Sequence, residues 1–389
     1  MSGSNRQESI SLVVVITGLS ANGAEIMLLK LLERIDRKKF SPHVISLSTL
    51  GEIGPRISAL GIPVEALGVD SIVSIPRAFY QLIKRFRAIR PAVVHTWMYH
   101  ADLLGGVAAR VVGIRAVTWG ILQSNLSSEV NKYSTLLVAR ACALLSPWLP
   151  ARILSCSRFG KIKHVEFGYK EDKFFVLPLG FDLTIFRPDA EAYQAIRVEL
   201  GLQPNTPLVG LVGRFDPQKN HLGFLEACAI VRRSRPDVHF LLVGNGVDHK
   251  NQQLQAAIAG NRLLGVVHLV GARKDIPRIM AALDVLASSS HGEGFPNVLG
   301  EAMATGVPCV VTNVGDSAFV VQETGIIVEP GDMQGLAKGL LQVLFLERDE
   351  LNSLGREARR RIDRNFEIEA VVRQYETYYK DLLHESLNS

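Results

Sequence analysis

The sequence predicts an α/β protein with two doubly wound, parallel-sheet domains, and three observations lead to this prediction. Short runs rich in Val, Ile and Leu alternate with amphipathic segments along nearly the whole chain. Uninterrupted apolar strands of this kind are typical of parallel sheets that helices cover on both faces. The runs form two consecutive series, and a length of 389 residues suits two domains.

The first series fills the N-terminal half and opens with LVVVIT at 12–17, a pattern typical of a buried strand. Further strands are predicted at 44–47, 92–96, 116–119, 153–156 and 174–177. Helical spacing of apolar residues predicts helices at 24–35, 75–89 and 103–112. This alternation predicts one complete sheet domain.

The second series predicts another sheet domain. Its predicted strands are 208–212, 239–243, 266–270, 285–288 and 308–312, and its predicted helices are 222–232, 276–282, 298–305 and 335–347. The two series are separated by PLGFDLTIFRP at 178–188, a segment rich in Pro and Gly. Because domain boundaries fall in such segments, we expect a first domain over 1–182 and a second over 183–365.

Composition narrows the class of protein. The start, MSGSNRQES, lacks the basic region and apolar run of a signal peptide. The apolar stretch 136–150 is interrupted by Arg140 and is too short to span a bilayer, although it could lie on one. Four cysteines without CxxC spacing favour a reduced setting. We therefore expect a cytoplasmic protein, with a peripheral position on the inner face of the membrane as a further option.

Charge is distributed unevenly along the chain. Residues 1–180 contain 22 Lys and Arg against 12 Asp and Glu, a net charge of +10, and the remainder has 21 against 26, a net charge of −5. Two ordinary solvated surfaces would explain this as well as a basic half that faces anionic lipid or substrate. Nucleic acid is not an expected partner, because the basic residues are not interleaved with aromatic ones.

Ligands of open parallel sheets bind beyond the carboxyl ends of the strands, so the loops after strands are the candidate sites. The first such loop is GLSANGAE at 18–25, where Gly23 would let the backbone approach a ligand at a helix start. It matches neither GxGxxG nor GxxxxGK[ST], which argues against a dinucleotide dehydrogenase and a P-loop nucleotidase. Taken alone, this loop is best explained as an ordinary Gly-rich turn.

The second loop is GRFDPQKN at 213–220, after the first strand of the second series. Arg214 and Lys219 would both lie at the carboxyl edge of the sheet. A diphosphate is bound well by a forked guanidinium together with a point charge. Two solvated surface cations explain this pair about equally well when the loop is considered alone.

The third loop begins HGEGFPNVLGEAMATGVPCVVT at 291–312. Gly292 and Gly294 keep the chain thin around Glu293, so that its carboxylate can reach into a cleft. Glu301 lies in an otherwise apolar predicted helix, which argues against a purely solvated role for it. Such a carboxylate can accept hydrogen bonds from two vicinal sugar hydroxyls, and the free amides at the helix start suit phosphate oxygens.

The fourth loop lies in VVHTWMYHADLLGG at 93–106, where His95, Trp97 and His100 are all candidates for a ligand contact. A packed structural role is the better explanation of His95. His100 begins a helix and could donate to a hydroxyl. No group of His, Cys and Asp residues has metal-ligand spacing, so we expect no metal site.

These motifs together resemble the family 4 glycosyltransferases, which are retaining, nucleotide-sugar-dependent enzymes of the GT-B architecture. The resemblance rests on the spacing E-x7-E at Glu293 and Glu301 and on an ordered set of further motifs. That set comprises NGAE (22–25), TWMYHADLLGG (96–106), LPLGFD (177–182), VGRFDPQKN (212–220) and GARKDIPRIMAALDV (271–285). It implies two Rossmann-like domains facing across a cleft, with residues 366–389 packing back onto the first domain.

The resemblance also implies a role for each matching position. Glu293 would contact the donor sugar, Glu301 would hold the ribose hydroxyls, and Arg214 and Lys219 would neutralise the diphosphate. Gly23 would let the N-terminal loop approach the donor, Arg273 would border the base, and one of His95, Trp97 and His100 would contact the sugar. The remaining donor-binding positions are Gly294, Phe295, Pro296 and Asn297. His100, Arg214, Lys219 and Glu293 are the expected catalytic residues.

The implied reaction needs no cofactor and no metal, because the paired cations would stabilise the departing diphosphate of a UDP- or GDP-type donor. The expected acceptor is a glycan or a polyprenyl-linked sugar in bacterial surface polysaccharide synthesis, with anionic membrane as a further contact. Two alternatives remain open. One is a nucleotide-sugar epimerase on the same plan, which would need no acceptor. The other is a non-catalytic protein that binds sugar nucleotides.

Overall fold

A computed structural model describes residues 9–126 and 131–388, and these residues form two compact units. The first unit contains the chain up to Gly180 together with the residues from Glu369 on. The second unit is Phe181–Ile368. The boundaries inferred from the sequence lay at 182/183 and 365/366, within three residues of these positions.

The first unit has a seven-stranded parallel sheet with strand order β3-β2-β1-β4-β5-β6-β7. Its strands are β1 (Ile10–Ile16), β2 (Phe40–Ser46), β3 (Val64–Ala66), β4 (Val93–Trp97), β5 (Val117–Ile121), β6 (Arg152–Ser155) and β7 (Phe174–Val176). The helices up to Gly180 are α1 (Gly23–Arg34), α2 (Ile53–Ala59), α3 (Ile75–Ile89), α4 (Tyr99–Val111), α5 (Tyr133–Leu145) and α6 (Arg158–Glu166). Every residue of β4 and β5 is buried, as expected for central strands covered on both faces.

The second unit repeats this plan with a six-stranded parallel sheet, in the order β10-β9-β8-β11-β12-β13. Its strands are β8 (Leu208–Val212), β9 (His239–Val243), β10 (Val267–Leu269), β11 (Val285–Ser288), β12 (Cys309–Thr312) and β13 (Ile326–Val328). Its helices are α7 (Ala190–Glu199), α8 (His221–Ser234), α9 (Gln252–Gly260), α10 (Ile276–Ala282), α11 (Asn297–Ala304), α12 (Ser317–Val321), α13 (Met333–Leu344) and α14 (Arg348–Phe366). The predicted fold class, two doubly wound α/β domains, is confirmed.

The last helix, α15 (Ile368–Asn388), packs on the sheet of the first unit through tyrosines. The hydroxyl of Tyr379 lies 2.8 Å from Nδ1 of His95 on β4, and that of Tyr378 lies 2.6 Å from the hydroxyl of Thr118 on β5. Both tyrosines are fully buried. Because each polar tip has a partner, their rings contribute apolar burial without leaving a hydroxyl unsatisfied.

A buried ion pair fixes the base of the second unit, at the start of β11. The guanidinium of Arg197, 1% exposed, donates to Asp284 at 2.6 Å and to the carbonyl of Ala282 at 2.8 Å. Asp284 also accepts from the amide of Leu208 at 2.8 Å. Removing one partner from such a pair strands a buried charge, which typically costs about 3–5 kcal/mol. The pair therefore locks α7 onto the amino ends of β8 and β11.

The strand order defines where a ligand of each unit is expected to bind. In both sheets the chain order reverses beside the first strand, between β1 and β4 and between β8 and β11. Ligands of doubly wound sheets bind at this switch point, beyond the carboxyl ends of the strands. In the part of the chain that the structure describes, no helix has the length and hydropathy needed to cross a bilayer.

Candidate functional site

The candidate site of the second unit lies at its switch point, where the loops after β8 and β11 meet. Lys219 is in the first of these loops and Glu293 in the second, 74 positions apart in the chain. The ammonium of Lys219 contacts Oε1 of Glu293 at 2.6 Å. The same oxygen accepts a hydrogen bond from the hydroxyl of Ser290 at 2.7 Å. The two residues are far apart in the sequence but close in space, as expected for loops at the carboxyl edge of one parallel sheet.

This pair is only partly exposed to water. The side chain of Lys219 is 24% exposed and that of Glu293 is 10% exposed. A charge-assisted hydrogen bond in such surroundings is stronger than one at an open surface, because fewer water molecules compete for it. The carboxylate of Glu293 is thus held in one place by an ammonium and a hydroxyl.

Hydrogen bonds tie the two loops together beneath the pair. The hydroxyl of Ser289 donates to the carbonyls of Lys219 at 2.9 Å and Asn220 at 3.0 Å. The amide of His291 donates to the carbonyl of Gln218 at 2.7 Å. Asn220 has a left-handed backbone with φ of 50°, and its side chain caps α8. The loop after β8 therefore keeps a fixed shape, which positions the stem of Lys219.

A third loop, after β12, supports Glu293 from the other side. Gly315 has φ of 57°, and a Cβ built on it would lie 2.5 Å from the carbonyl oxygen of Glu293. The amide of Asp316 donates to the carbonyl of Gly294 at 3.0 Å. Only glycine combines this conformation with this close approach. Ser290 and Gly315 were absent from the sequence-based prediction, although both shape the position of Glu293.

The helix that follows Glu293 carries the second acid. It is α11, with Pro296 at its N-cap and Asn297 as its first residue, and no side chain caps its first turn. Glu301 is the fifth residue of the helix and is half-buried. Phe295, by contrast, is buried and stacks with Phe181, their ring centroids being 6.2 Å apart. Any contact of Phe295 with a ligand must therefore come from its main chain.

The two arginines that the sequence singled out have different surroundings. Arg214 is 66% exposed and its Nε lies 3.0 Å from Asp216, so its guanidinium can swing toward a bound anion. Arg273 forms ion pairs with both Glu199 and Asp275. Hydrogen bonds to Asp275 and Glu199 raise the pKa of Arg273 above its already high ordinary value. Arg273 therefore forms ion pairs with two acidic residues, whereas Arg214 forms one with Asp216.

In the first unit, the structure separates the three candidates that follow β4. His95 is fully buried with Nδ1 against Tyr379, and burial lowers its pKa to about 3. Trp97 is 1% exposed. His100, the second residue of α4, is half-buried, and partial burial lowers its pKa. Among the three, His100 alone combines a titratable ring with access to solvent.

The turn before His100 is strained. Met98 has φ of 73° and ψ of 153°, a backbone region that is almost restricted to glycine. Its amide still donates to the carbonyl of Gly120 at 3.1 Å, so the conformation is fixed by the neighbouring strand. Strain of this kind costs about 1–3 kcal/mol and is concentrated at functional sites. The Met98 conformation places the start of α4 beyond the edge of the sheet.

The loop after β1 places an unusual acid at the start of α1. Gly23 is the first residue of this helix and is exposed, with Asn22 as the N-cap. Glu25, two positions on, is 5% exposed, and its Oε2 has no hydrogen-bond partner in the described structure. Burial raises the pKa of Glu25 above its ordinary value. The role inferred for Gly23 remains a prediction.

Comparison with known proteins decides the family. A model of "Glycosyltransferase Family 4" matches residues 21–185, and one of "Glycosyl transferases group 1" matches residues 206–345. The chain belongs to the family 4 glycosyltransferases. The predicted family and enzyme class are thereby confirmed, whereas the roles of Glu293 and Glu301 in the E-x7-E spacing remain predictions.

One relative and one solved structure match nearly the whole chain, and a second relative matches about half of it. The UDP-Gal:alpha-D-GlcNAc-diphosphoundecaprenol alpha-1,3-galactosyltransferase of Escherichia coli is 28% identical over 93% of this chain and 94% of its own. The lipopolysaccharide core biosynthesis mannosyltransferase LpsB of Rhizobium meliloti is 29% identical over 52% of this chain. The crystal structure of Anabaena Alr3699/HepE in complex with UDP superposes with a TM-score of 0.83 at 21% identity, covering 96% of this chain and all of that one. The structural likeness shows the GT-B fold.

Proposed function

We propose that this glycosyltransferase moves a hexose from a UDP-sugar to a polyprenyl-diphosphate-linked sugar in bacterial surface polysaccharide synthesis, with retention of anomeric configuration. The donor and acceptor classes are supported by the full-length similarity to the Escherichia coli galactosyltransferase, whose name states both. UDP-galactose is accordingly the first donor to test. No cofactor and no metal is part of the proposal.

The observation that carries this proposal is the Lys219–Glu293–Ser290 cluster at the switch point of the second unit. A diphosphate placed on the amides at the start of α11 and on Lys219 would bring its sugar close to Glu293. Glu301, one helical turn into α11, supplies a carboxylate for the ribose hydroxyls. Arg214 is exposed and can add a second cation to the diphosphate.

The reaction follows from these charges. As the bond between the anomeric carbon and the diphosphate oxygen breaks, negative charge grows on UDP, and Lys219 and Arg214 stabilise it. The acceptor oxygen forms the new bond on the same face of the sugar, and its proton passes to the departing phosphate oxygen. Glu293 contacts the donor sugar and favours the positive charge that develops on its ring.

Glu293 is a poor candidate for a covalent nucleophile in this scheme, because one of its oxygens already accepts from Lys219 and Ser290. Incubation with a slow, fluorinated UDP-sugar followed by mass spectrometry of the intact protein tests this point. We expect no covalently bound sugar. A sugar adduct on Glu293 would replace front-face attack with double displacement.

The remaining positions have supporting roles in the proposal. His100 contacts the donor sugar, and Gly23 lets the loop after β1 approach it. Arg273 borders the base through the segment that it anchors to Asp275 and Glu199. Gly294, Phe295, Pro296 and Asn297 bind the donor chiefly through their main chain.

Two alternatives predict different products. A nucleotide-sugar epimerase would convert one UDP-hexose into another without any acceptor. A non-catalytic binding protein would bind UDP yet never release it from the donor. The paired Lys219 and Glu293 favour catalysis over binding alone, because a purely diphosphate-binding site gains nothing from a carboxylate beside its cation.

The decisive experiment first ranks donors by thermal shift, using UDP-galactose, UDP-glucose, UDP-N-acetylglucosamine and GDP-mannose. The best donor is then incubated with N-acetylglucosaminyl diphosphate on a short lipid, and the products are identified by mass spectrometry and NMR. We expect the glycosylated lipid with an α-linkage and free UDP. Formation of an isomerised sugar nucleotide without acceptor, or binding with no turnover, would reject the proposal.

A further inference from the structure

Helix α5 and the turn that follows it expose an unusual number of large apolar side chains. Tyr133 is 76% exposed, Leu137 52%, Leu144 73% and Trp148 72%. We call these four residues the α5 face. Single exposed hydrophobic residues need no explanation, but a contiguous row of them on one element indicates a surface that meets an apolar partner.

The spacing puts this row on one side of the helix. Tyr133, Leu137 and Leu144 are separated by four and seven residues, so they lie along the same stripe of a helix with 3.6 residues per turn. The opposite stripe carries Ala139 and Cys142, which are fully buried in the unit. One side of α5 is thus used for packing within the unit and the other projects into solvent.

The turn that carries Trp148 is held by two cations. The guanidinium of Arg110 donates to the carbonyl of Leu149 at 2.7 Å, and the ammonium of Lys173 donates to the carbonyls of Pro147 at 2.6 Å and Pro150 at 2.7 Å. The turn around Trp148 is therefore fixed on both sides. An exposed tryptophan in a rigid turn loses little further backbone freedom when it binds an apolar medium.

The surrounding charge identifies the partner. Between Asp102 and Glu166 the sequence has eight Lys and Arg and one acidic residue, Glu129. Lys132 stands exposed at the start of α5, and the exposed Arg140 lies on the α5 face side of the helix. Tyr and Trp at the two ends, Leu between them and cations beside them are typical of helices that lie in the interface of anionic membranes.

We propose that the α5 face docks this enzyme on an anionic lipid bilayer, with the axis of α5 parallel to the membrane plane. Trp148, Leu144 and Leu137 enter the headgroup region, and Tyr133 anchors the end of the helix that lies at the carboxyl edge of the sheet. This surface deepens the proposed function and rests on it, because an acceptor linked to a polyprenol resides in a membrane. Vesicle binding can nevertheless be measured without any sugar transfer.

The enzyme contains its own reporter of docking. Of its three tryptophans, Trp97 and Trp119 are buried and Trp148 is exposed. Phosphatidylcholine vesicles containing phosphatidylglycerol should shift the tryptophan emission of the wild-type protein to the blue, and brominated lipids should quench it. The Trp148→Phe variant should lose most of that response while it still sediments with the vesicles.

Co-sedimentation gives the affinity. Leu144→Ser combined with Trp148→Ser should weaken binding to the mixed vesicles by about a hundredfold, since each buried side chain contributes about tenfold. The matched control combines Val198→Ser and Leu264→Ser, residues of the second unit that are 77% and 69% exposed, and should bind like wild type. Salt, or vesicles of phosphatidylcholine alone, should weaken binding of all variants.

The outcomes separate docking from catalysis. If the serine variant transfers sugar normally to a short-chain acceptor in solution yet fails on vesicles, both proposals stand. If vesicles bind but no transfer occurs with any donor, docking stands and the proposed function fails. Wild-type binding that the serine variant retains would overturn the docking proposal, as would a dimer in solution that the same variant dissociates and that binds no vesicles.

Discussion

The ion pair between Lys219 and Glu293 leads to a prediction in which two substitutions within one cluster have opposite effects on nucleotide binding. In the proposed site, Lys219→Ala removes a charge-assisted hydrogen bond to the diphosphate, typically about 1.5–3 kcal/mol, so the Kd for UDP should rise by about 10- to 150-fold. Glu293→Gln removes the carboxylate that lies 2.6 Å from the Lys219 ammonium. The Lys219 ammonium then no longer pairs with a carboxylate and can bind the diphosphate, so UDP should bind equally well or more tightly.

Transfer should respond differently from binding. If Glu293 contacts the sugar more strongly in the transition state than in the ground state, Glu293→Gln should lower kcat by about 10- to 150-fold at unchanged or lower Kd for UDP. Isothermal titration calorimetry gives the Kd, and UDP release with acceptor gives kcat.

A surface acid provides the control for this pair of variants. Glu357 is 58% exposed and lies 3.9 Å from Arg360, so Glu357→Gln should change neither Kd nor kcat. Weaker UDP binding in Glu293→Gln, comparable to that in Lys219→Ala, would refute the assignment of Glu293 to the sugar side of the donor. Unchanged turnover in Glu293→Gln would refute its catalytic role altogether.

Three further predictions follow from the packing and from buried titratable groups. Gly300→Ala would place a Cβ 2.1 Å from the ring of Phe181. We expect the free energy of unfolding to fall by about 1–3 kcal/mol and Tm to fall by about 2–12 °C in thermal scans. Displacement of α11 should also weaken UDP binding. Burial raises the pKa of Glu25, so protonated Glu25 contributes stability at low pH, and this contribution is lost as pH rises. The Glu25→Gln variant should therefore have a higher Tm than wild type at neutral pH. This difference in Tm should vanish below about pH 4.5. Burial lowers the pKa of His95 to about 3 and that of His164 to about 4, so the first unit should lose stability as pH falls from 6.5 to about 4. Tyrosine and tryptophan fluorescence recorded against pH would follow this loss.

The sequence predicts strands well where burial dominates. The predicted bounds of β8, β9 and β11 agree with the structure, as do those of α3 and α10. Each of these elements has a clear apolar pattern and a distinct boundary residue. Of the four three-residue edge strands, β7 and β10 were predicted because they lie in longer apolar runs, whereas β3 and β13 were not predicted.

Helix α14 shows how a long element can be missed. Its sequence, RDELNSLGREARRRIDRNF, is mostly charged, and only Gly355, Ala358, Ile362 and Phe366 of its 19 residues are buried. The buried stripe is narrow and includes glycine and alanine, so hydropathy alone does not reveal it. Gly355 is required there because a Cβ would lie 2.0 Å from the carbonyl oxygen of Gly306. That requirement arises where α14 packs against the loop after α11, and it cannot be read from the local sequence.

Some residues of the candidate site could be predicted from the sequence, and others could not. Lys219 and Glu293 could be found because each follows a strand of a parallel sheet, and the carboxyl ends of such strands share one edge. Ser290 and Gly315 could not, because their roles depend on contacts between loops that lie on different strands. Gly315 matters through its approach to the carbonyl of Glu293, and no spacing within the chain encodes that approach.

The distribution of charge connects the two proposals. The half of the chain that contains Lys219 and Arg214, the proposed diphosphate-binding cations, has a net charge of −5, although its proposed ligand is an anion. In the proposed function, donor affinity therefore comes from close contacts with Lys219, Arg214 and the amides of α11 rather than from long-range attraction. The half with a net charge of +10 contains the α5 face, with the exposed Lys132 at the start of α5 and the exposed Arg140 on the helix. Salt should consequently weaken vesicle binding far more than UDP binding, since screening acts on exposed, spread charges and spares partly buried pairs.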